Sequence, residues 1–294
     1  RMNNWYNSEN IWKRRAVSYY GKLKGYVYHR PLKSIGMVIG VIFSKLPMSF
    51  SSQLKESLQL TTDMPFLSLA LGIKVVVDRS KDYGRAQFCS KERLTCEWIK
   101  KHYKRGDVIY DIGANIGAVS LISALYLKKD CKIYSFEPLP STFSMLFKNI
   151  MINNCSKVVV PLNIALSDKV EINQFNLTSI ESGTSGHSIY KNDIASGGGD
   201  KNLTVFTQTL DNLFDCYCIE QADHIKIDVD GVDYEVLLGG EKNILNNSSL
   251  KTILIEKNDK EEQIKTLLKK YSFVEVELKD PRGVYENMGF IRRS

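Results

Sequence analysis

Long apolar runs are scarce in this chain. The longest one near its start, Ile35 to Phe43, falls well short of the roughly 20 residues a membrane-spanning helix requires, and the segment before it lacks the layout of a cleavable signal. No transmembrane helix is expected. Acidic residues are nearly missing from the first 50 positions, where nine Lys and Arg face Glu9 alone, whereas the remainder holds 31 basic and 32 acidic residues. The formal charge of +7 therefore belongs to the N-terminus. The six cysteines include no zinc-type pair of C-x-x-C motifs, so they read as reduced, mostly core residues, which favours the cytoplasm. The dinucleotide fingerprint G-x-G-x-x-G is missing too, and with it the first argument for a nicotinamide cofactor.

In its place stands VIYDIGANIGAVSLISALYL, residues 108 to 127. An apolar run closed by Asp111 reads as a buried strand, Gly113 to Gly117 as a tight turn, and the apolar positions beyond as a helix. Glycine at 113 admits positive φ and close approach of a ligand, glycine at 117 lets the helix pack tightly on the strand, and the helix start points N–H groups at the turn. Asn115 occupies the position where a pyrophosphate would need glycine. An acid two residues before the first glycine repels a diphosphate but suits an ammonium group, so the turn is shaped for a cationic ligand.

The 294 residues, 43% hydrophobic, suffice for one large core with an N-terminal appendage. Residues 1–60 form a basic aromatic extension of helical character, with Trp5, Tyr6, Trp12, Tyr19, Tyr20, Tyr26 and Tyr28. Within it, residues 1–50 are suited to an anionic membrane surface or a partner protein; the alternative is a solvated basic helix pair packed on the main domain. Residues 61–105 supply a hairpin, Leu67 to Val77 with Arg85 to Cys89, and a helix over Lys91 to Lys104. From 106 to 294 strands and helices alternate: strands 107–111, 131–136, 157–163, 170–177, 203–207, 223–228, 251–256, 272–278 and 287–292, with helices 116–128, 140–152, 210–217, 232–245 and 260–270. Such alternation predicts an α/β fold with a mainly parallel sheet, and the last two strands, lacking a helix between them, an antiparallel edge hairpin. Thr178 to Asn202 is long, polar and glycine-rich; it reads as a lid presenting His187 and Tyr190, or as a disordered surface loop.

In an open parallel sheet the ligand lies beyond the carboxyl ends of the strands, and here those ends carry Asp111, Glu137, Asn163, Asp228 and Glu256. The two oxygens of Glu137 match a vicinal diol such as a ribose. In HIKIDVDG, residues 224–231, His224, Lys226 and Asp228 share one face of a strand expected to be apolar on both. Burying that lysine costs several kcal/mol unless it pairs, so it is expected to meet Asp228, Glu256 or another carboxylate. The pair is then either purely structural or part of a pocket.

The stretches GDVIYDIGANIG, YSFEPLPSTFSMLFKNIMINN, LNIALSD, LDNLF, HIKIDVDGVDYEVLLGGEKNIL and ILIEKN, in that order from about 106 to 258, resemble the FkbM family of S-adenosylmethionine-dependent methyltransferases. One departure is Asp230, where members of that family often carry glutamate. The resemblance implies the class I methyltransferase, Rossmann-like fold and S-adenosyl-L-methionine as cofactor. Carried onto this chain, Asp111, Gly113 and Gly117 frame the methionine part, with Asn115 helping the turn. Glu137 then holds the ribose, Asn163 and Ala165 flank the adenine, and Asp228 faces the methyl group.

Methyl transfer from a sulfonium is an in-line displacement in which positioning dominates and a base helps a weakly nucleophilic hydroxyl. The ordered candidates for that base are Asp228, Glu256 and His187, with Lys226 orienting whichever carboxylate acts. A magnesium-assisted variant through Asp228, Asp230 and Glu256 is weighed, but no resident metal is expected. The implied acceptor is a hydroxyl of a sugar, glycan or polyketide-like molecule. A non-catalytic, cofactor-binding scaffold recruited to a membrane or glycan-synthesis partner is the alternative. Nucleic acid is not an expected partner, since the domain beyond residue 50 is slightly acidic and no Asn-Pro-Pro-aromatic motif follows the strand at 223–228. The implied location is cytoplasmic, with the basic arm able to attach at the inner membrane surface.

Overall fold

A computed structural model describes residues 65–68, 73–76, 93–176, 188–190, 202–229, 231–278 and 287–293. The basic arm, its boundary at residue 60, the second half of the expected upstream hairpin at 85–89, His187 and Asp230 lie outside the described residues.

The alternating segments form one sheet. Its parallel strands are β3 (Val108–Ile112), β4 (Lys132–Phe136), β5 (Val159–Leu162), β10 (His224–Ile227) and β11 (Thr252–Glu256), and the last two strands are β12 (Phe273–Val276) and β13 (Asn287–Arg292). The order is β12-β13-β11-β10-β3-β4-β5, with β13 antiparallel to both β11 and β12, as expected for the C-terminal hairpin. The mainly parallel sheet with helices is the Rossmann-like α/β fold that the motifs imply. Ile109, Ile225, Ile227, Ile253 and Ile255 are fully buried, because helices cover a parallel sheet on both faces. Those helices are α1 (Arg93–His102), α2 (Ala118–Tyr126), α3 (Pro140–Ile152), α4 (Leu210–Tyr217), α5 (Asp233–Leu238) and α6 (Glu261–Lys270). The chain leaves β3 toward β4 and β5, then returns to build β10 and β11 on the other side. The crevice where this order reverses opens between the carboxyl ends of β3 and β10, the place where such folds bind ligands.

Three elements differ from the sequence expectation. The upstream hairpin pairs β1 (Pro65–Ser68) with β2 (Ile73–Val76), so the expected single strand over 67–77 is itself the hairpin. Its β2 residues Ile73, Val75 and Val76 share an apolar cluster with Trp98 and Ile99 of α1 and with Leu146 of α3. The strands expected at 170–177 and 203–207 do not join the main sheet. They become β7 (Glu171–Asn176) and β9 (Asn202–Gln208) of a second sheet, which also holds β6 (Ala165–Leu166) and β8 (Ser188–Tyr190), in the order β6-β9-β7-β8. The alternation explains this: Ile172 and Phe206, register partners, face outward while Val205 and Thr207 are buried, the pattern of a sheet with one covered face. The expected helix 232–245 stops at Leu238, and a wide π-type turn, Glu241–Leu245, follows the Gly239-Gly240 pair. The cysteines are also less core-like than expected: Cys96 and Cys155 are buried, but Cys216 and Cys218 are exposed.

At the amino-terminal edge of the sheet a charged cluster ties three strands together. His224 Nε2 donates to Asp107 Oδ2 at 2.8 Å, its Nδ1 meets the Thr252 hydroxyl at 2.8 Å, and Lys251 bridges Asp107 and Asp223 at 2.8 and 2.9 Å. Burial alone would raise the Asp107 carboxyl, but the hydrogen bonds from His224, Lys251 and the Lys104 N–H outweigh it and bring its pKa down to about 2. A carboxyl lowered by folding stabilises the fold above its unfolded pKa, and that contribution fades as pH falls from about 3.8 toward about 2. Asp107→Asn should therefore unfold earlier in urea at pH 6, and its deficit against the wild type should shrink between pH 4 and pH 2. A deficit that stays constant over that range would show that this ion cluster is not the cause.

Candidate active site

The turn after β3 is held from several sides. Gly113 N and Ala114 N both donate to the Phe136 carbonyl at the end of β4, at 3.0 and 2.9 Å. Gly113 has φ +77°, and a Cβ there would lie 1.9 Å from the carbonyl oxygen of Asp228. Its close approach is thus to the end of β10, which draws the two walls of the crevice together. Asn115 stands at φ +52°, a conformation asparagine tolerates, and its Oδ1 accepts the Ile116 N–H at 2.9 Å. Gly117, at φ +89°, packs against α3 and not the strand: a Cβ there would lie 2.6 Å from Leu146 Cδ1. Because Leu146 is fully buried, Gly117→Ala must shift a packed side chain in addition to the left-handed backbone penalty of about 1–2 kcal/mol, read as a lower urea midpoint with an unchanged slope.

Glu137, just beyond β4, closes the turn. Its Oε2 accepts the Asn115 N–H and its Oε1 the Leu139 N–H, both at 2.9 Å, and the residue is buried. Asn163, exposed after β5, donates from Nδ2 to the carbonyls of Glu137 and Pro138 at 2.8 and 3.0 Å, so it fixes the backbone that carries the acid. Ala165 is buried with Leu139 and Val205 where β6 begins.

Asp228 follows β10, its side chain 38% exposed, and accepts a 2.6 Å hydrogen bond from Lys226 Nζ. Lys226 is buried, so the expected pairing of the strand lysine with Asp228 is what the fold contains. Glu256, half-buried, ends β11 one residue beyond the register pair Ile227–Ile255, at the same edge as Asp228. Asp111 differs from the expectation of a residue facing a ligand: it is fully buried, accepts from the Ser120 hydroxyl of α2, and lies beside Lys226 in the β3–β10 register. Burial pushes its carboxyl above the usual range against the pull of Lys226 and Ser120, and Asp228 adds to the rise.

Several participants carry little signal in the sequence. Asn149 of α3 is fully buried; it donates to the Ile116 carbonyl at 2.8 Å and accepts from Val76 N at 2.7 Å. Asp233, also buried, accepts from Val229 N at 3.4 Å and from Asn258 Nδ2 at 2.8 Å. Lys260 reaches Glu235 at 2.7 Å and the Gly231 carbonyl at 3.1 Å. Together these bonds fix the loop between β10 and α5. The hint that could have exposed the enclosure of Asp111 was Ser120, a polar residue on a mostly apolar helix. Among the described residues, no group of three or more His, Cys, Asp or Glu is arranged to hold a metal, and no helix is long and apolar enough to cross a membrane.

Residues 111–291, more than half of the chain, match the model of the methyltransferase FkbM domain. The chain belongs to this family. It carries a methyltransferase domain of the FkbM type. Among curated proteins, the hexuronic acid methyltransferase AglP of Haloferax volcanii is 28% identical over 171 residues, an alignment covering 56% of this FkbM chain and 63% of that protein. The chain thus spans less than two thirds of the length of that relative. Among solved structures, the methyltransferase FkbM from Methylobacillus flagellatus superposes with a TM-score of 0.47 at 10% identity, over 64% of this chain and 44% of that one. A precorrin-6y C5,15-methyltransferase from Geobacter metallireducens gives a TM-score of 0.41 at 14% identity, over 71% and 92%.

Proposed function

We propose that this enzyme methylates a hydroxyl of a sugar or sugar-acid acceptor, with Asp228 as the group that receives the acceptor's proton. The observation that carries the reading is the partly exposed Asp228 carboxylate, held at 2.6 Å by a buried lysine at the lip of the β3–β10 crevice. The acceptor class follows the printed activity of the Haloferax relative, which acts on a hexuronic acid.

The donor set fits the cofactor. Glu137, pinned by two backbone N–H groups at the rim of the turn, is the residue assigned to the ribose diol, and the Gly113–Gly117 turn to the methionine end. When bound, S-adenosylmethionine supplies a methyl group activated by its positive sulfur. The chain's own part is to orient and to move a proton. The β10–α5 loop, fixed by Asp233, Asn258 and Lys260, positions one side of the acceptor pocket. Asp228 accepts the hydroxyl proton as the new bond forms, and Lys226 holds that carboxylate in a single orientation.

The test is transfer of labelled methyl from S-adenosylmethionine to glycosides of glucuronic acid, galacturonic acid and neutral hexoses, followed by mild alkali. A hydroxyl acceptor gives a methyl ether that survives the alkali. A label released by it would instead be a methyl ester on the acid group, an acceptor that needs no base, and Asp228 would lose its assigned role. No transfer to any of the sugars would remove the acceptor class.

A further inference from the structure

We infer that Asp111 is a positioning residue that sets Asp228 through a lysine shared between the two, and is not itself a ligand of the cofactor. This inference rests on the reading of Asp228 as the group facing the acceptor.

The geometry is a row across the sheet. Ser135 of β4, Asp111 of β3 and Lys226 of β10 are successive register partners and so project from one face. The Ser120 hydroxyl donates to Asp111 Oδ2, which leaves Ser135 as the donor in the 2.7 Å contact between the two serines. All of these residues are buried, and Asp111 and both serines are completely so. At the open end Lys226 Nζ stands 2.6 Å from Asp228 Oδ2, and the lysine also attracts Asp111. One buried ammonium therefore lies between an enclosed carboxyl and a partly exposed one. A side chain with no exposed surface has no face to offer a cofactor, whereas it lies next to the lysine that holds Asp228.

The arrangement has a physical purpose. A buried ammonium needs more than one acceptor to offset its lost hydration, and a carboxyl below it fixes where it rests. Held by Asp111, Lys226 pulls Asp228 toward the sheet without neutralising it fully, since Asp111 and Asp228 also repel each other. Among the described residues, the other charged or titratable groups near the pair include Tyr103, just past α1 and coupled to Asp111; His224, on the same face of β10, stacked on Tyr103 and bonded to Asp107; and Asp233 of α5, coupled to Asp228. Asp111 Oδ1 has no hydrogen-bond partner, so its hold on the network runs through Oδ2 and through charge.

The test follows the carboxyl carbons of labelled aspartate by NMR over pH, with Asp228→Asn used to assign the resonance, and needs no acceptor. In the wild type, the Asp228 curve should show a second step coinciding with the titration of Asp111, as coupled sites do. Asp111→Asn should abolish that step, because the amide stays neutral over the whole range. Its affinity for S-adenosylhomocysteine, by calorimetry, should stay within about threefold of wild type. A single-step curve in the wild type would overturn the inference even if Asp111→Asn fails to fold. So would a folded Asp111→Asn that binds S-adenosylhomocysteine tenfold or more weakly. Failure of sugar methylation leaves these readouts standing, so the two readings fail separately.

Discussion

Asp228→Asn is expected to lower methyl transfer about 10²- to 10⁴-fold while S-adenosylhomocysteine binds within about threefold of wild type. The amide keeps the shape and a hydrogen-bonding oxygen for Lys226 but cannot take a proton from the acceptor. The size follows from the contribution of a well-placed general base. Some stability is lost as well, because Lys226 is buried and would face a neutral group; with Asp228 38% exposed, the cost lies between the surface and buried cases, roughly 1–3 kcal/mol. Turnover should therefore be measured well below the unfolding temperature of the variant. If cofactor affinity falls as much as turnover, Asp228 is a cofactor ligand and the acceptor's base must be sought at Glu256.

Glu137→Ala is expected to weaken S-adenosylhomocysteine at least about 100-fold by calorimetry. Hydrogen bonds to a charged group contribute about 1.5–3 kcal/mol each, and tenfold in affinity corresponds to 1.4 kcal/mol. The substitution removes the proposed diol contacts and leaves the N–H groups of Asn115 and Leu139 without this acceptor, so the turn loosens too. Glu137→Gln separates the two effects. Its single carbonyl oxygen can serve one of the two N–H groups, and its affinity should fall between wild type and alanine. A folded Glu137→Ala with unchanged affinity would reduce Glu137 to a clamp for the turn.

What the sequence made legible, and what it hid, divides along one physical line. Runs such as VIYDI, KIYSF and TILIE are apolar, short and closed by polar residues, so local composition reveals both the strands and their carboxyl ends. The C-terminal hairpin was equally readable, since nothing helical separates its strands. The second sheet was not, because β6 and β8 are only two and three residues long and gain their identity from pairing with distant strands. Asp111 shows the same limit at the level of one side chain. An acid at a strand end reads as a pocket residue, and only the neighbouring strand reveals that Lys226 and the α2 serine enclose it. The clamps on the turn were hidden for a related reason: the Asn149 bonds reach across 33 and 73 residues of sequence.

Those asparagine bonds bear on where this enzyme can be cut. The stretch that matches the family begins at Asp111, yet the amide of Asn149 spans from the Ile116 carbonyl to the backbone of β2, and Asn153, one helical turn on, bonds Lys74 N and O of the same strand at 2.8 and 2.6 Å. A fragment trimmed to the matching residues would keep Asp111, Glu137, Asp228 and Glu256 but strip α3 of the strand that steadies the asparagine holding the turn. The smallest excisable methyltransferase module therefore includes β2 and its hairpin partner β1, from Pro65 onward, and its boundary is set by a hydrogen-bonded strap and not by the reach of the motifs.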